Sequence, residues 1–377
     1  MLNGHPSRVP VFFGYCPADA HEMKDLRVGV IGCGQVALTS HLHLLARMPG
    51  VRVSGLADTD AHALRTGMRL APAAEAFGDS RTLIESGIAD AVVIALPTHL
   101  HADAAVAAFD AGLHVYLEKP IAADIDDALS IVNAWNASKA VGMIGFNFRF
   151  NPLVQKLKDL VASGKIGNVT SAQTRFVTPA PGSTSWRATR STGGGALLDL
   201  AVHHIDLIRF VLDDEIETVT ARIQSRRSDE DFAELTIRTR HGTAVRIDAA
   251  FGESFDDHVE VHGTHGILWT DRGTALDVGF SRAAGSPTLL SRARAAFPTP
   301  SRILFFASSR RAPYHDISFN LALRSFVSAA SSSRAIHPDL IDGVAALQVV
   351  AAARESSAGG NAVTVGDAVH GDAIRRN

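Results

Sequence analysis

Short apolar runs alternate with amphipathic stretches through the first 150 positions. The apolar runs cover 27–31, 51–57, 91–96, 114–117 and 140–146. They are too short for buried helices and rich in β-branched residues, so they read as strands covered on both faces. The stretches 41–47, 60–70, 101–111 and 124–138 repeat their apolar residues at helical spacing. Strands alternating with helices of this length predict an α/β unit, a parallel sheet with helices on both faces.

The texture changes after Asn151-Pro152. One helix is expected over 153–163, then a turn at Gly164-Lys165-Ile166-Gly167. Strand-like runs follow at 169–177, 216–223, 232–239, 243–251, 258–262 and 266–270. They are short, turn-separated and partly alternating, which predicts a mostly antiparallel sheet. A long helix is expected over 195–212, and two more over 317–330 and 338–356, the last stopped by Gly359-Gly360. The chain therefore divides into an extension (1–24), a dinucleotide-binding α/β domain (25–148) and an α+β domain (149–377). Residues 1–22 read as a dispensable stretch upstream of a second start at Met23.

The first strand ends in Gly32-Cys33-Gly34-Gln35-Val36-Ala37, a Gly-x-Gly-x-x-Ala turn opening a helix. The first glycine permits a tight turn, the second lets backbone approach a pyrophosphate, and Ala37 allows close helix–strand packing. The helix N-terminus offers free N–H groups and a positive dipole end to phosphate. Asp58 ends the second strand, where a carboxylate reaches a ribose hydroxyl. A carboxylate there repels a 2′-phosphate, so NAD is expected and NADP is less favoured. Gly32, Gly34, Gln35, Val36 and Asp58 form the expected cofactor set. Ligands of such sheets sit beyond the carboxyl ends of the strands, which adds Pro97, His99, Glu118 and Lys119.

Composition narrows the classes. The net charge of −3 over 377 residues gives no basic field for nucleic acid. No apolar run approaches the roughly 18 residues that would span a bilayer. Two cysteines, Cys16 and Cys33, fit a reducing cytoplasm and carry no zinc spacing, so no metal is expected. Residues 281–312 hold six arginines and no acid. They read as a solvated insertion, with a lid or phosphate-reading patch as the sharper alternative.

On the 195–212 helix, Leu198, Ala201, Ile205, Ile208 and Leu212 form one stripe, and Asp199, His203 and Asp206 a second. A carboxylate one turn before an imidazole can hold its tautomer and raise its proton affinity. That makes Asp199–His203 a candidate acid/base pair, with a solvated polar face as the bland alternative. Lys119 ends a buried strand, where few lysines have a structural reason to be. Asn147, Arg149 and Asn151 end the last parallel strand. Trp186 and Arg187, before Gly193-Gly194-Gly195, are candidate pocket walls. His41 and His43 read as packing residues, as does His204.

These motifs together resemble the glucose–fructose oxidoreductase/inositol dehydrogenase (Gfo/Idh/MocA) family. The resemblance rests on Gly32-Cys33-Gly34-Gln35-Val36-Ala37, Asp58, Glu118-Lys119-Pro120, 164–167, 193–199 with His203, 261–266 and Asp342-Gly343. It implies a Rossmann domain joined to an open-faced sheet used for homodimers or homotetramers. It implies a catalytic set of Lys119, Asp199 and His203, and a cis Lys119–Pro120 bond aiming the lysine at substrate. It implies oxidation of a secondary hydroxyl on a sugar, cyclitol or nucleotide-sugar, with Asn147, Arg149, Trp186, Arg187, Asp199 and His203 around the substrate. Two other classes fit the same motifs: a redox-neutral, NAD-dependent glycoside hydrolase and a non-catalytic nicotinamide-binding sensor. Ala201 departs from the family's usual glycine and is expected to narrow the space beside the substrate.

Overall fold

The computed structural model describes residues 25–282 and 316–366. The extension 1–24 lies outside the described residues, as does the arginine-rich segment beyond Arg282.

The first sheet holds β1 (Leu26–Ile31), β2 (Val51–Ala57), β3 (Glu75–Phe77), β4 (Ala91–Ile94), β5 (His114–Leu117) and β6 (Gly142–Ile144). Their order is β3-β2-β1-β4-β5-β6, and every pair is parallel. β4 is buried at all four positions, as its unbroken apolar sequence requires. The strand order reverses between β1 and β4, which opens a crevice beyond their carboxyl ends. The crossovers are α1 (Leu42–Leu45), α2 (Ala61–Leu70), α3 (Ser80–Glu85), α4 (His101–Asp110) and α5 (Ile125–Ala137). Asp60, Asp79 and Asp124 cap α2, α3 and α5 by accepting from backbone N–H groups in the first turn. A wide π-helical turn, Ala37–His41, precedes α1.

The second sheet has eight strands: β7 (Val169–Pro179), β8 (Ile216–Gln224), β9 (Phe232–Thr239), β10 (Ala244–Gly252), β11 (Asp256–Gly263), β12 (Gly266–Asp271), β13 (Gly279–Arg282) and β14 (Val363–Thr364). Their order is β13-β12-β11-β7-β10-β9-β8-β14. The sheet is mixed rather than wholly antiparallel, because β7 pairs in parallel with β10. Period-two alternation tells which face is buried but not the direction of a neighbour that arrives 70 residues later. Leu235, Ile237, Val245 and Ile247 turn into the core, while Thr236, Arg238, Ala244 and Arg246 face outward. One face is therefore packed under helices and the other is left polar.

The helices of this half are α6 (Pro152–Ala162), α7 (Val202–Leu212), α8 (Ser318–Ser332) and α9 (Leu340–Gly359). A second π-helical turn, Leu197–Ala201, leads into α7, so the expected single helix has a widened start. α9 opens on a capping box between Asp339 and Asp342 and ends at Gly360 in the left-handed region. α8 crosses back to the first sheet. Ala322, Leu323, Phe326 and Val327 pack with Val28, Val30, Val93, Tyr116 and Met143 of β1, β4, β5 and β6. Burial of each large apolar side chain contributes about 1.5–3 kcal/mol. A cut at 148/149 in the sequence thus separates the first sheet from a helix that covers it.

Candidate functional site

The two glycines of the first turn have different reasons to be there. Gly32 has φ +91°, and a Cβ would lie 2.4 Å from the Ala95 carbonyl oxygen. A Cβ on Gly34 would meet nothing within 4 Å, so it would project into the open crevice. That space at the start of a helix fits a pyrophosphate approaching backbone N–H groups. Gln35 is exposed and Val36 half-buried at the same mouth. Asp58 spans the turn: Cys33 N donates to its Oδ2 at 2.6 Å and Asp60 N to its Oδ1 at 2.7 Å. Burial, then the Asp58 charge, pushes the Cys33 thiol up to about 12, so it stays protonated.

The loops after β4 and β5 meet the glycine run of the second half. Thr98, after Pro97, donates to the Gly193 carbonyl at 3.4 Å, and exposed His99 lies 3.2 Å from the Thr192 carbonyl. Gly193 has φ +84° and presses against Thr98, where a Cβ would lie 2.3 Å from the threonine Cβ. Buried His101 ties the two loops together, with its ring nitrogens 2.8 Å from the Pro120 carbonyl and 2.9 Å from the Leu96 carbonyl. The Lys119–Pro120 bond is cis.

Lys119 reaches across the crevice. Its Nζ donates to Asp199 Oδ1 at 2.7 Å and to the Asp199 carbonyl at 2.9 Å. The other carboxylate oxygen, Oδ2, accepts from Arg187 at 2.7 Å (Nε) and 2.6 Å (Nη2). Burial alone would raise the Asp199 carboxyl, but Lys119 and then Arg187 outweigh it and hold it below its usual range. Two cations around one buried carboxylate leave a net positive field at this point.

His203 lies one turn on, 7% exposed. Its Nδ1 is buried without a hydrogen-bond partner. The ring stacks on Phe148 at 4.0 Å and 8° and meets Phe176 edge-on at 5.9 Å. Burial, then the charges of Lys119 and Arg272, drives the imidazole well below its ordinary value, so it is neutral at physiological pH. This corrects the expected Asp199–His203 couple. The carboxylate is taken by Lys119 and Arg187, and the proton affinity of His203 is lowered rather than raised.

Several expected site residues are committed elsewhere. Glu118 pairs with buried His41, 2.8 Å away, rather than with Lys119 or the open crevice. Asn147 donates to Ser318 of α8 at 2.8 Å and is buried. Arg149 is clamped by Asp206 (2.9 and 2.5 Å) and Asp342 (2.8 Å), so it ties the turn after β6 to α7 and α9. Asp206 accordingly leaves the presumed acid/base stripe. Trp186 is half-buried, and its carbonyl accepts from Thr192 Oγ1 at 2.8 Å beside the glycine run. Ala201 is fully buried, so its methyl group packs inside rather than narrowing the crevice. Among the described residues one trio, His337, Asp339 and Asp342, brings three donor atoms within 4.8 Å, with Asp342 already bound to Arg149.

The sequence reading passed over the aromatic cage around His203. Phe176 stacks on His204 at 5.1 Å and 8°, and it meets Phe148 edge-on at 5.6 Å. His204 Nε2 lies 3.3 Å from Asp257 Oδ1. Phe148 stands inside Asn147-Phe148-Arg149, so its position was visible though its role was not.

Residues 26–146 match the family model described as oxidoreductase family, NAD-binding Rossmann fold. Residues 154–269 match the GFO/IDH/MocA C-terminal domain. The chain is 27% identical to myo-inositol 2-dehydrogenase of Thermotoga maritima over 88% of this chain and 96% of that protein. It is 30% identical to a dTDP-3,4-didehydro-2,6-dideoxy-alpha-D-glucose 3-reductase of Actinomadura kijaniata, over 68% of this chain and 76% of that protein. The crystal structure of an oxidoreductase domain protein from Kribbella flavida superposes with TM-score 0.78 at 25% identity, covering 91% of this chain and all of that one.

Proposed function

The chain belongs to the Gfo/Idh/MocA family of NAD-binding oxidoreductases, and from that premise we propose that it interconverts a secondary hydroxyl and a ketone on a sugar, cyclitol or nucleotide-sugar. One observation carries the reading: the Lys119 amine, two residues past the end of β5, meets the Asp199 carboxylate, and its charge bears on the His203 imidazole one helical turn further on.

NAD, when bound, would supply the hydride chemistry. The protein does the rest. Gly34 and the helix it opens would hold the pyrophosphate, and Asp58 would accept from the ribose hydroxyl. His203 is neutral and takes the hydroxyl proton at Nε2, a transfer that typically contributes about 10²–10⁴-fold. Lys119 donates a hydrogen bond to the same oxygen and stabilises negative charge as it develops there. Asp199 keeps the Lys119 amine aimed, and Arg187 shares the carboxylate while offering its remaining N–H groups to substrate hydroxyls. The uncovered outer face of the second sheet is the surface on which a homodimer or homotetramer would form. The cysteine content supports a cytoplasmic setting.

A panel of sugars, cyclitols and nucleotide-sugars with NAD tests this, read as NADH absorbance. NADH formation with at least one polyol supports the assignment. Release of free sugar from a glycoside without net NADH would point to the hydrolase instead.

A further inference from the structure

The imidazole of His203 is one layer of a three-layer stack. The Phe148 ring lies parallel to it at 4.0 Å. The Arg272 guanidinium carbon lies 3.1 Å from the centroid of the same phenyl ring. A ring has room for one group at that distance on each face, so the guanidinium occupies the face away from His203. The order is Arg272, Phe148, His203. We propose that Arg272 is a positioning residue which acts on the His203 imidazole through the Phe148 ring, fixing its plane and biasing it toward the neutral form.

Two physical effects support this. A guanidinium over one face draws π density toward itself, so the opposite face is less able to stabilise a cation. An imidazolium at His203 would then face a weakened ring, with a full positive charge just beyond it. Arg272 is also fixed in place. It pairs with Asp257, which is fully buried, and donates to Asp316 at 2.9 Å. Its own side chain is 6% exposed, so water does little to screen it.

The charged and titratable groups facing His203 come from every element packed around it. Lys119 follows β5, Arg187 precedes the glycine run, and Asp199 and His204 share its helix. Arg272 and Asp257 belong to the β11–β12 end of the second sheet. Lys119 and Arg187 already share Asp199. Arg272 pairs with Asp257, which also lies 3.3 Å from His204. What sets Arg272 apart is its route to the imidazole, through a polarisable ring in direct contact with it.

The bland alternative is that Arg272 only ties β11 to the segment before α8. That role predicts lost stability and no change in His203 titration. The inference rests on His203 as the proton acceptor of the proposed reaction, yet its test needs no turnover. The histidine side-chain NMR signals of the ligand-free protein are followed against pH in the parent, in Arg272→Gln/Asp257→Asn and in Arg272→Lys. The double variant removes the cation without leaving a buried unpaired carboxylate. Expected is protonation of His203 about 0.5–1 pH unit higher in the double variant than in the parent, with Arg272→Lys in between. The low-pH limb of kcat/KM for alcohol oxidation should move by the same amount. A His203 ring that titrates identically in parent and double variant, or stays unprotonated over the same range in both, overturns the proposal. A protein without dehydrogenase activity would remove the proposed function while leaving the NMR result to decide this point alone.

Discussion

The Nζ of Lys119 lies 2.7 Å from Oδ1 of Asp199, a residue 80 positions later in the chain. One end of this pair hangs from the first sheet, and the other sits in the π-helical turn that starts α7. The Lys119–Asp199 pair therefore exists only when both halves are docked.

Lys119→Met removes the donor to the substrate oxygen, and His203→Gln removes the proton acceptor. Each should lower kcat by about 10²–10⁴-fold while NADH affinity changes little, because neither side chain builds the glycine turn. Steady-state rates beside a fluorescence titration with NADH check this. Near-parental turnover in either variant would refute the roles assigned above.

Asp58 predicts cofactor choice. NADH should bind more tightly than NADPH in calorimetric titrations. Asp58→Ser should lose affinity for NADH and lower the melting temperature slightly, since Oδ2 also holds Cys33 N. Tighter NADPH binding by the parent protein would contradict the assignment.

The two glycines of the turn should fail differently. Gly32→Ala puts a methyl group against the Ala95 carbonyl at a positive φ, so it should destabilise the fold itself, visible in denaturant unfolding. Gly34→Val adds atoms only to open space. It should leave unfolding nearly unchanged and weaken NADH binding by an order of magnitude or more.

Arg149 is a test of structure rather than chemistry. Arg149→Met leaves Asp206 and Asp342 without their main partner in a buried setting. Breaking such a network typically costs about 3–5 kcal/mol. Thermal unfolding should show that loss, with kcat per folded molecule close to parental at a temperature where the variant is folded.

Acid should destabilise the protein early. His203 and His101 are both held below the ordinary histidine value near 6.5, chiefly by burial. Below about pH 6.5 the unfolded chain takes up protons that the native chain refuses, so stability falls as pH falls. Each such histidine contributes about 1.4 kcal/mol per pH unit in that window. Melting temperatures measured from neutral to mildly acidic pH should drop, and His203→Gln should make the slope shallower by about one proton.

Much of this was legible in the sequence, for identifiable reasons. β4 declares itself because a strand buried at every position is apolar throughout, and β1 does so over its buried stretch from Val28 to Ile31. The roles of Gly32 and Gly34 follow from what a tight turn and a close phosphate each demand of a backbone. Lys119 stands out because a lysine at the end of a buried strand needs a reason. Ionic partners were harder to read. Nothing in spacing told that Asp199 would turn to Arg187 rather than His203, or that Glu118 would turn inward to His41. Which charge meets which is set by tertiary packing. The same holds for Arg149, whose two acids come from α7 and α9. The parallel β7–β10 pair was hidden too, since alternation carries no direction.

The return of α8 across the first sheet bears on how the molecule is made. Phe326 and Leu323 complete a core whose other walls, Val28, Val30 and Tyr116, are synthesised some two hundred to three hundred residues earlier. A nascent chain must keep that apolar surface waiting until the helix emerges. A gene fragment stopping after β6 should yield a sticky, chaperone-dependent product, and one in which α8 is rejoined by a short linker should be soluble.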